Sequence, residues 1–146
     1  ILMAVRDRKA AAENFARLLG AEVSRESRSE HLKADRIILA LGESEVELCQ
    51  PTANGPISRF IERWGEGLYA GGLSASNLGK LHAHLEAEKV RTFVDGEQIF
   101  LDPEQTFGAP LVLSQFIQRA SVPGPVNYLY EITNTLKSDW NQAAAF

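Results

Sequence analysis

One order of secondary-structure signals occurs twice along the chain, and that duplication limits the fold more than any single motif. The first copy opens on the apolar run "ILMAV", read as a strand, and continues into "RDRKAAAENFARLLG". There Ala11, Phe15, Leu18 and Leu19 recur at helical spacing, Asp7 suits the N-cap and Gly20 the stop. Short strands are predicted at "AEVSR", "RIILAL" and "SEVELCQ", with Gly42 between the last two. After the loop "PTANGP" and a short amphipathic helix "ISRFIERWG", the order returns. It runs through the strand "LYAGGLSA", the helix "SNLGKLHAHLEAEK" capped by Ser76 or Asn77, and the strands "VRTFV", "EQIFL" and "LVLSQF". Asp95-Gly96 is a hairpin signal between two of them. Repetition at this period marks a supersecondary unit used more than once.

The predicted organisation is a first βαβββ module over residues 1–50, a connecting loop and short helix over 51–67, and a second module over 68–117. A Pro/Gly linker is expected over 118–126. Over 127–146, "DWNQAAAF" matches "DRKAAAENF" closely enough to predict the start of a third module; a plain C-terminal strand and helix is the alternative. A chain that begins inside an apolar run, without an initiator methionine, reads as part of a longer protein.

Composition narrows the partners. A net charge of −4 with scattered basic residues argues against a nucleic-acid surface. No apolar run approaches the roughly 20 residues of a membrane span. The single cysteine, Cys49, excludes an internal disulfide and a cysteine zinc cage, which fits a cytoplasmic protein. The histidines are His31 in a polar loop and His82 and His84 two apart on a helix, so none is expected on a sheet strand.

The paired unit resembles the vicinal oxygen chelate superfamily of glyoxalases, bleomycin-resistance proteins, extradiol dioxygenases and methylmalonyl-CoA epimerases. The resemblance rests on "AVRDRKAAAENFARLLGAEV", "LGESEVELCQP", "GPISRFIERWGEGL" and "FLDPEQTFGAPLVL", in that order. "GPISRFIERWGEGL" is most similar to the epimerase branch. The implied fold is α+β: paired modules forming a curved mixed sheet, a half-barrel around a cavity, with helices on the outer face. In the family the inner face holds a divalent metal that chelates two substrate oxygens. The resemblance places its four ligands just before Ile1, at Glu47, at Ala70 and at Leu113. Ala70 and Leu113 have no donor atom, so no metal and no other cofactor is expected in this segment. Leu129, with Glu131 and Thr133 on its face, does not point to a metal in a third module either.

Strand alternation sets a candidate inner face. Glu45, Glu47 and Cys49 share it, with Val46 and Leu48 turned outward beneath a helix. Ala70, Gly72 and Ser74 share one face of the glycine-rich strand, together with Leu68. On the last strand Leu111, Leu113 and Gln115 do the same. Cys49, Ala70, Gly72, Ser74, Leu113 and Gln115 are therefore the expected ligand-binding residues of an apolar cavity. Glu47 is the candidate acid or base, because a carboxyl in such a cavity ionises less readily; pairing with Arg36 is its alternative role.

Three functions follow. The first is a metal-free glyoxalase-like domain binding a small organic molecule, as the N-terminal half of a four-module protein. The second is an isomerase or lyase using Glu47, or a dioxygenase whose metal lies beyond Phe146. The third is a resistance-type sequestration protein, for which a homodimer supplies the paired modules.

Overall fold

The computed structural model describes residues 1–115 and Val126. The expected third module and all of the linker but Val126 lie outside those residues. β1 (Leu2–Ala4) leads into α1 (Arg8–Leu19), then β2 (Glu22–Ser29), β3 (Ala34–Leu41) and β4 (Ser44–Pro51). α2 (Pro56–Trp64) precedes β5 (Gly67–Ala75), α3 (Leu78–Ala87), β6 (Thr92–Asp95), β7 (Gln98–Leu101) and β8 (Leu111–Gln115).

Local chemistry sets the helix limits. The Asp7 carboxylate accepts from the backbone N–H groups of Lys9 and Ala10, both at 3.0 Å, and so meets two donors that an α-helix leaves unpaired. Gly20 closes α1 in the left-handed region at φ 69°, where a side chain would be strained. Asn77 rather than Ser76 caps α3, accepting from Lys80 N–H at 2.8 Å.

The eight strands form one sheet in the order β2-β3-β4-β1-β5-β8-β7-β6. Each module is a βαβββ unit with its first strand parallel to its last: β1 beside β4, and β5 beside β8. The modules join through the antiparallel pair β1–β5 at the sheet centre. The sheet curls into a half-barrel, the α+β architecture expected of the sequence.

Its two faces carry separate cores. On the convex side Val5, Ile37, Leu39, Leu41, Val46 and Leu48 pack beneath Ala12 and Phe15 of α1. On the concave side Leu2, Ala4, Cys49, Ala70, Phe100 and Val112 pack with Leu32 and with Ile57 and Ile61 of α2. α2 thus closes part of the concave face.

The two hairpin tips lean together over the rest. Ser29 Oγ at the end of β2 donates to Asp95 Oδ2 at the end of β6. The His31 ring stacks on Phe93 and lies against Phe100, each at 4.8 Å between centroids. Residues more than 60 positions apart therefore meet, and the outermost strands of the sheet are drawn toward one another.

Ile57 is fully buried where α2 meets both modules. Ile57→Ala is expected to destabilise the chain by about 2–5 kcal/mol, combining lost transfer energy with a residual cavity. Urea unfolding followed by circular dichroism measures it.

Candidate functional site

The register of β4 turns Glu47 and Cys49 to the concave face and Val46 and Leu48 to the convex one, as alternation requires. Directly opposed residues on neighbouring strands share a face. Arg36 of β3 lies opposite Cys49, and Ile38 opposite Glu47. In the second module Gly72 lies opposite Val112, Ser74 opposite Ser114, and Gln98 opposite Ser114.

These positions assemble a polar cluster under the hairpin tips. Arg36 Nη1 donates to Glu47 Oε2 at 3.2 Å and also to Gln98 Oε1. Gln98 Nε2 donates to Glu47 Oε1 at 2.6 Å. Arg36 Nε donates to Ser27 Oγ at 3.0 Å. Both carboxylate oxygens of Glu47 are thereby engaged, one from each module. Arg36 is 9% exposed and Glu47 6%, so the pair is held out of bulk water. Burial raises the Glu47 pKa; the Arg36 charge and the Gln98 hydrogen bond oppose that shift without cancelling it. Burial likewise pushes the Cys49 thiol up to about 12.

The glycine-rich strand β5 divides into two parts. Between Leu68 and Ala70 it takes two steps for one on β1, a bulge that leaves Tyr69 unpaired in register. The Tyr69 ring packs edge-on against Phe60 of α2 at 5.5 Å, and Leu68 falls opposite Met3, off the face it was expected to share with Ala70. Ala70 is 2% exposed and packs in the concave core. Beyond it Gly72 and Ser74 are exposed. The two adjacent glycines have different reasons. A Cβ on Gly71 would come within 3.3 Å of Leu111 Cδ2, whereas one on Gly72 would make ordinary contact with Val112 Cγ1 at 3.8 Å. Gly72 therefore leaves room that the packing does not demand.

The expected binding residues separate accordingly. Glu47, Gly72 and Ser74 lie on the concave face, with Gly72 and Ser74 open. Cys49 and Ala70 are on that face too, but the Phe100, Leu32 and Ile57 packing covers them instead of leaving a cavity wall. Leu113 and Gln115 belong to the other face, because β8 is one residue out of the expected alternation: Val112 and Ser114 turn inward. Leu113 sits opposite Ile99, while Gln115 accepts from Leu78 N–H at 2.9 Å and donates to Ser76 O at 2.8 Å, fastening the start of α3. The cluster members Gln98, Val112 and Ser114 went unassigned in the sequence, and Arg36 entered only as a partner of Glu47. Aligning "VELCQ" (46–50) on "LVLSQ" (111–115) is the signal that identifies them, since it sets Val112 against Glu47 and Ser114 against Cys49.

On β8 it is Val112, and not the Leu113 implied by the family resemblance, that joins the concave core with Ala70. Glu47, Ala70 and Val112 offer one carboxylate, a methyl group and an isopropyl group. A divalent cation of this kind needs three or four converging N or O donors. Among the described residues no three His, Cys, Asp or Glu stand together to hold one. The side chains at these positions do not fit the metal.

Duplicated βαβββ units, a curled sheet and a central Glu on β4 define the vicinal oxygen chelate type of fold. Residues 1–100 match the family model described as Glyoxalase/Bleomycin resistance protein/Dioxygenase superfamily, and the chain belongs to that superfamily. A search of curated proteins finds no match. Among solved structures, methylmalonyl-CoA epimerase from Mycobacterium tuberculosis is similar at 21% identity and TM-score 0.69, over 78% of this chain and 83% of that one. Streptomyces coelicolor methylmalonyl-CoA epimerase, in complex with 2-nitronate-propionyl-CoA, is similar at 19% identity and TM-score 0.69, over 79% and 93%. A hypothetical protein from Bacillus halodurans C-125 is similar at 19% identity and TM-score 0.66, over 82% and 94%. Among the described residues no helix is long and apolar enough to cross a membrane.

Two outcomes are expected at this site. Glu47→Ala leaves the Arg36 charge buried without a partner and costs about 3–5 kcal/mol, whereas the apolar pair Arg36→Met/Glu47→Leu is near neutral. Equilibrium unfolding of the three proteins compares them. The raised Glu47 pKa means the folded state holds that proton more tightly than the unfolded chain, whose carboxyl titrates near 4.5. Its contribution to stability is therefore complete below that pH and is lost as pH rises through the folded value. Glu47→Gln removes this slope in urea unfolding across pH 4.5–8.

Proposed function

We propose that this chain is a glyoxalase-superfamily domain that binds a small organic molecule on its concave face without a divalent metal in the described module pair. One observation carries the reading. Where the family places metal ligands, Ala70 and Val112 supply hydrocarbon, and the remaining Glu47 is already engaged by Arg36 and Gln98. A buried polar cluster, supported from both modules, stands where a metal would tie them.

The binding surface is the shelf beside that cluster, formed by Gly72, Ser74 and Ser114 next to Gln98. Small side chains there leave space, and a few polar groups at the edge of an apolar floor are the usual make-up of a small-molecule site. The acyl-CoA thioesters bound by the epimerases of similar fold are one ligand class to examine.

Metal titration tests the metal-free part. After chelation, adding Co²⁺, Ni²⁺ or Zn²⁺ is expected to leave the unfolding midpoint unchanged, since a ligand that binds only the folded state raises stability by mass action. A stoichiometric, saturable stabilisation lost in Glu47→Gln overturns it.

Epimerase-type proton transfer by Glu47 is a second reading, favoured by that residue's raised pKa. The Arg36 ion pair and the Gln98 hydrogen bond oppose this, because both stabilise the carboxylate and so weaken it as a base. The expected result is no deuterium uptake from D₂O into methylmalonyl-CoA. Uptake by the native chain that Glu47→Gln abolishes makes the domain an enzyme.

A further inference from the structure

We propose that the β2–β3 turn, residues 30–33, is a displaceable plug: Leu32 fills the apolar end of the ligand site, and a latch on the β6–β7 hairpin keeps it there. The inference rests on the small-molecule reading above and names how access to that site is controlled.

The concave positions of two strands run from an open shelf to a covered floor. On β5 Gly72 has Ala70 as its neighbour on that face, and on β8 Ser114 has Val112. Gly72 and Ser74 are exposed, whereas Ala70 and Val112 are each 2% exposed and pack with Leu32, Ile57 and Phe100. Leu32 is fully buried in the same cluster as Ala4 and Cys49, whose small side chains leave depth for a ligand once it withdraws.

Leu32 differs from the rest of this core in coming from a turn. Pairing between β2 and β3 ends at Ser29 and Ala34, so residues 30–33 have no cross-strand support. Only Leu32 among them is buried, while Glu30 and Lys33 are exposed. Lys33 stands at φ 52°, in the left-handed region that a side chain adopts at a cost. Its carbonyl accepts from Thr52 N–H at 2.9 Å, which fixes that end of the turn and makes it the hinge. A short segment with one buried side chain belongs to the part of a fold that opens locally.

Side chains supply the latch. Asp95 Oδ2 accepts from Ser29 Oγ and from His31 N–H at 3.4 Å, and Ser29 Oγ accepts in turn from Leu32 N–H at 3.0 Å. The His31 ring lies against Phe93 and Phe100. All of the cross-module contacts in this set run to β6 and β7. None involves Arg36, Glu47 or Gln98, so the turn lifts while the buried cluster still ties the hairpins together. The ligand that fits has an apolar group for the place of Leu32 and a polar end for the shelf. If it binds only the lifted state, its apparent affinity falls with the rarity of that state. Weakening the latch therefore strengthens binding, the opposite of removing a contact residue.

Cys49 is the chain's single cysteine and lies fully buried in the cluster that holds Leu32, so its modification reports the lifting. Labelling by the disulfide reagent DTNB under native conditions is expected to run at least about tenfold faster than global unfolding allows. Asp95→Ala should accelerate it by about tenfold or more, the range for a hydrogen bond to a charged group, and Ser29→Ala should act in the same direction. Asn77→Ala removes the α3 cap and lowers global stability, yet should leave the labelling rate unchanged. Both latch variants should bind indole about tenfold tighter than the native chain, as read by titration calorimetry. Labelling that follows global stability in all of these proteins overturns the plug, and so does indole bound equally by native chain and latch variants; either result leaves the small-molecule reading standing. If neither indole nor any CoA thioester binds any of them, the small-molecule reading falls and the plug falls with it.

Discussion

A buried arginine is tolerable only when its charge and donors are met, and Arg36 is met from three directions at once. Ser27 lies on β2 at one side of its strand, Glu47 on β4 at the other, and Gln98 in the other module. The last of these contacts organises the molecule. It requires the β2–β3 and β6–β7 hairpins to lean together, which in turn places Ser29 against Asp95 and His31 between Phe93 and Phe100. Removing one member costs more than the cluster contributes net, because the groups left behind stay buried. The cluster therefore specifies how the two halves of the sheet curl, more than it adds stability.

The same constraint decides what chemistry the concave face can perform. A metal-chelating site gathers donors from the first and last strands of each module. Here hydrocarbon stands at Ala70 and Val112, and the polar atoms are displaced onto β3 and β7. Arg36 and Gln98 occupy equivalent places in the two modules, opposite Cys49 and Ser114, so the internal repeat brings them to the same central point. Arg36 thus brings a fixed positive charge to the concave face, where it is paired with Glu47.

Much of the architecture was legible because it is written in local pattern. The period of the apolar residues, Asp7 and Gly20 at the ends of α1, and Asp95-Gly96 between β6 and β7 each act over a few residues. Glu47 and its inward face followed from simple alternation, and Arg36 emerged as its possible partner. Alternation failed where the strands are irregular. The bulge at Tyr69 removed Leu68 from the face of Ala70, and the stretch from Asp102 to Pro110 between β7 and β8 set Val112 inward in place of Leu113. A slip of one residue exchanges the two faces of a strand. Gln98 was hidden for another reason: a neutral side chain on a short strand shows its role only when a residue 62 positions away is packed against it. The paired glycines, read together as an emptied strand, proved to be a close approach to Leu111 at Gly71 and ordinary contact distance at Gly72.

The central claim is that a polar contact between modules, and not a metal, ties the two halves across the concave face. A double-mutant cycle on Arg36→Met and Gln98→Leu measures that tie directly, with unfolding free energies of the four proteins taken in chelator. The account predicts a coupling of about 1.5–3 kcal/mol, the range for a hydrogen bond to a charged group. Additivity within about 0.5 kcal/mol, the behaviour of independent sites, would contradict it.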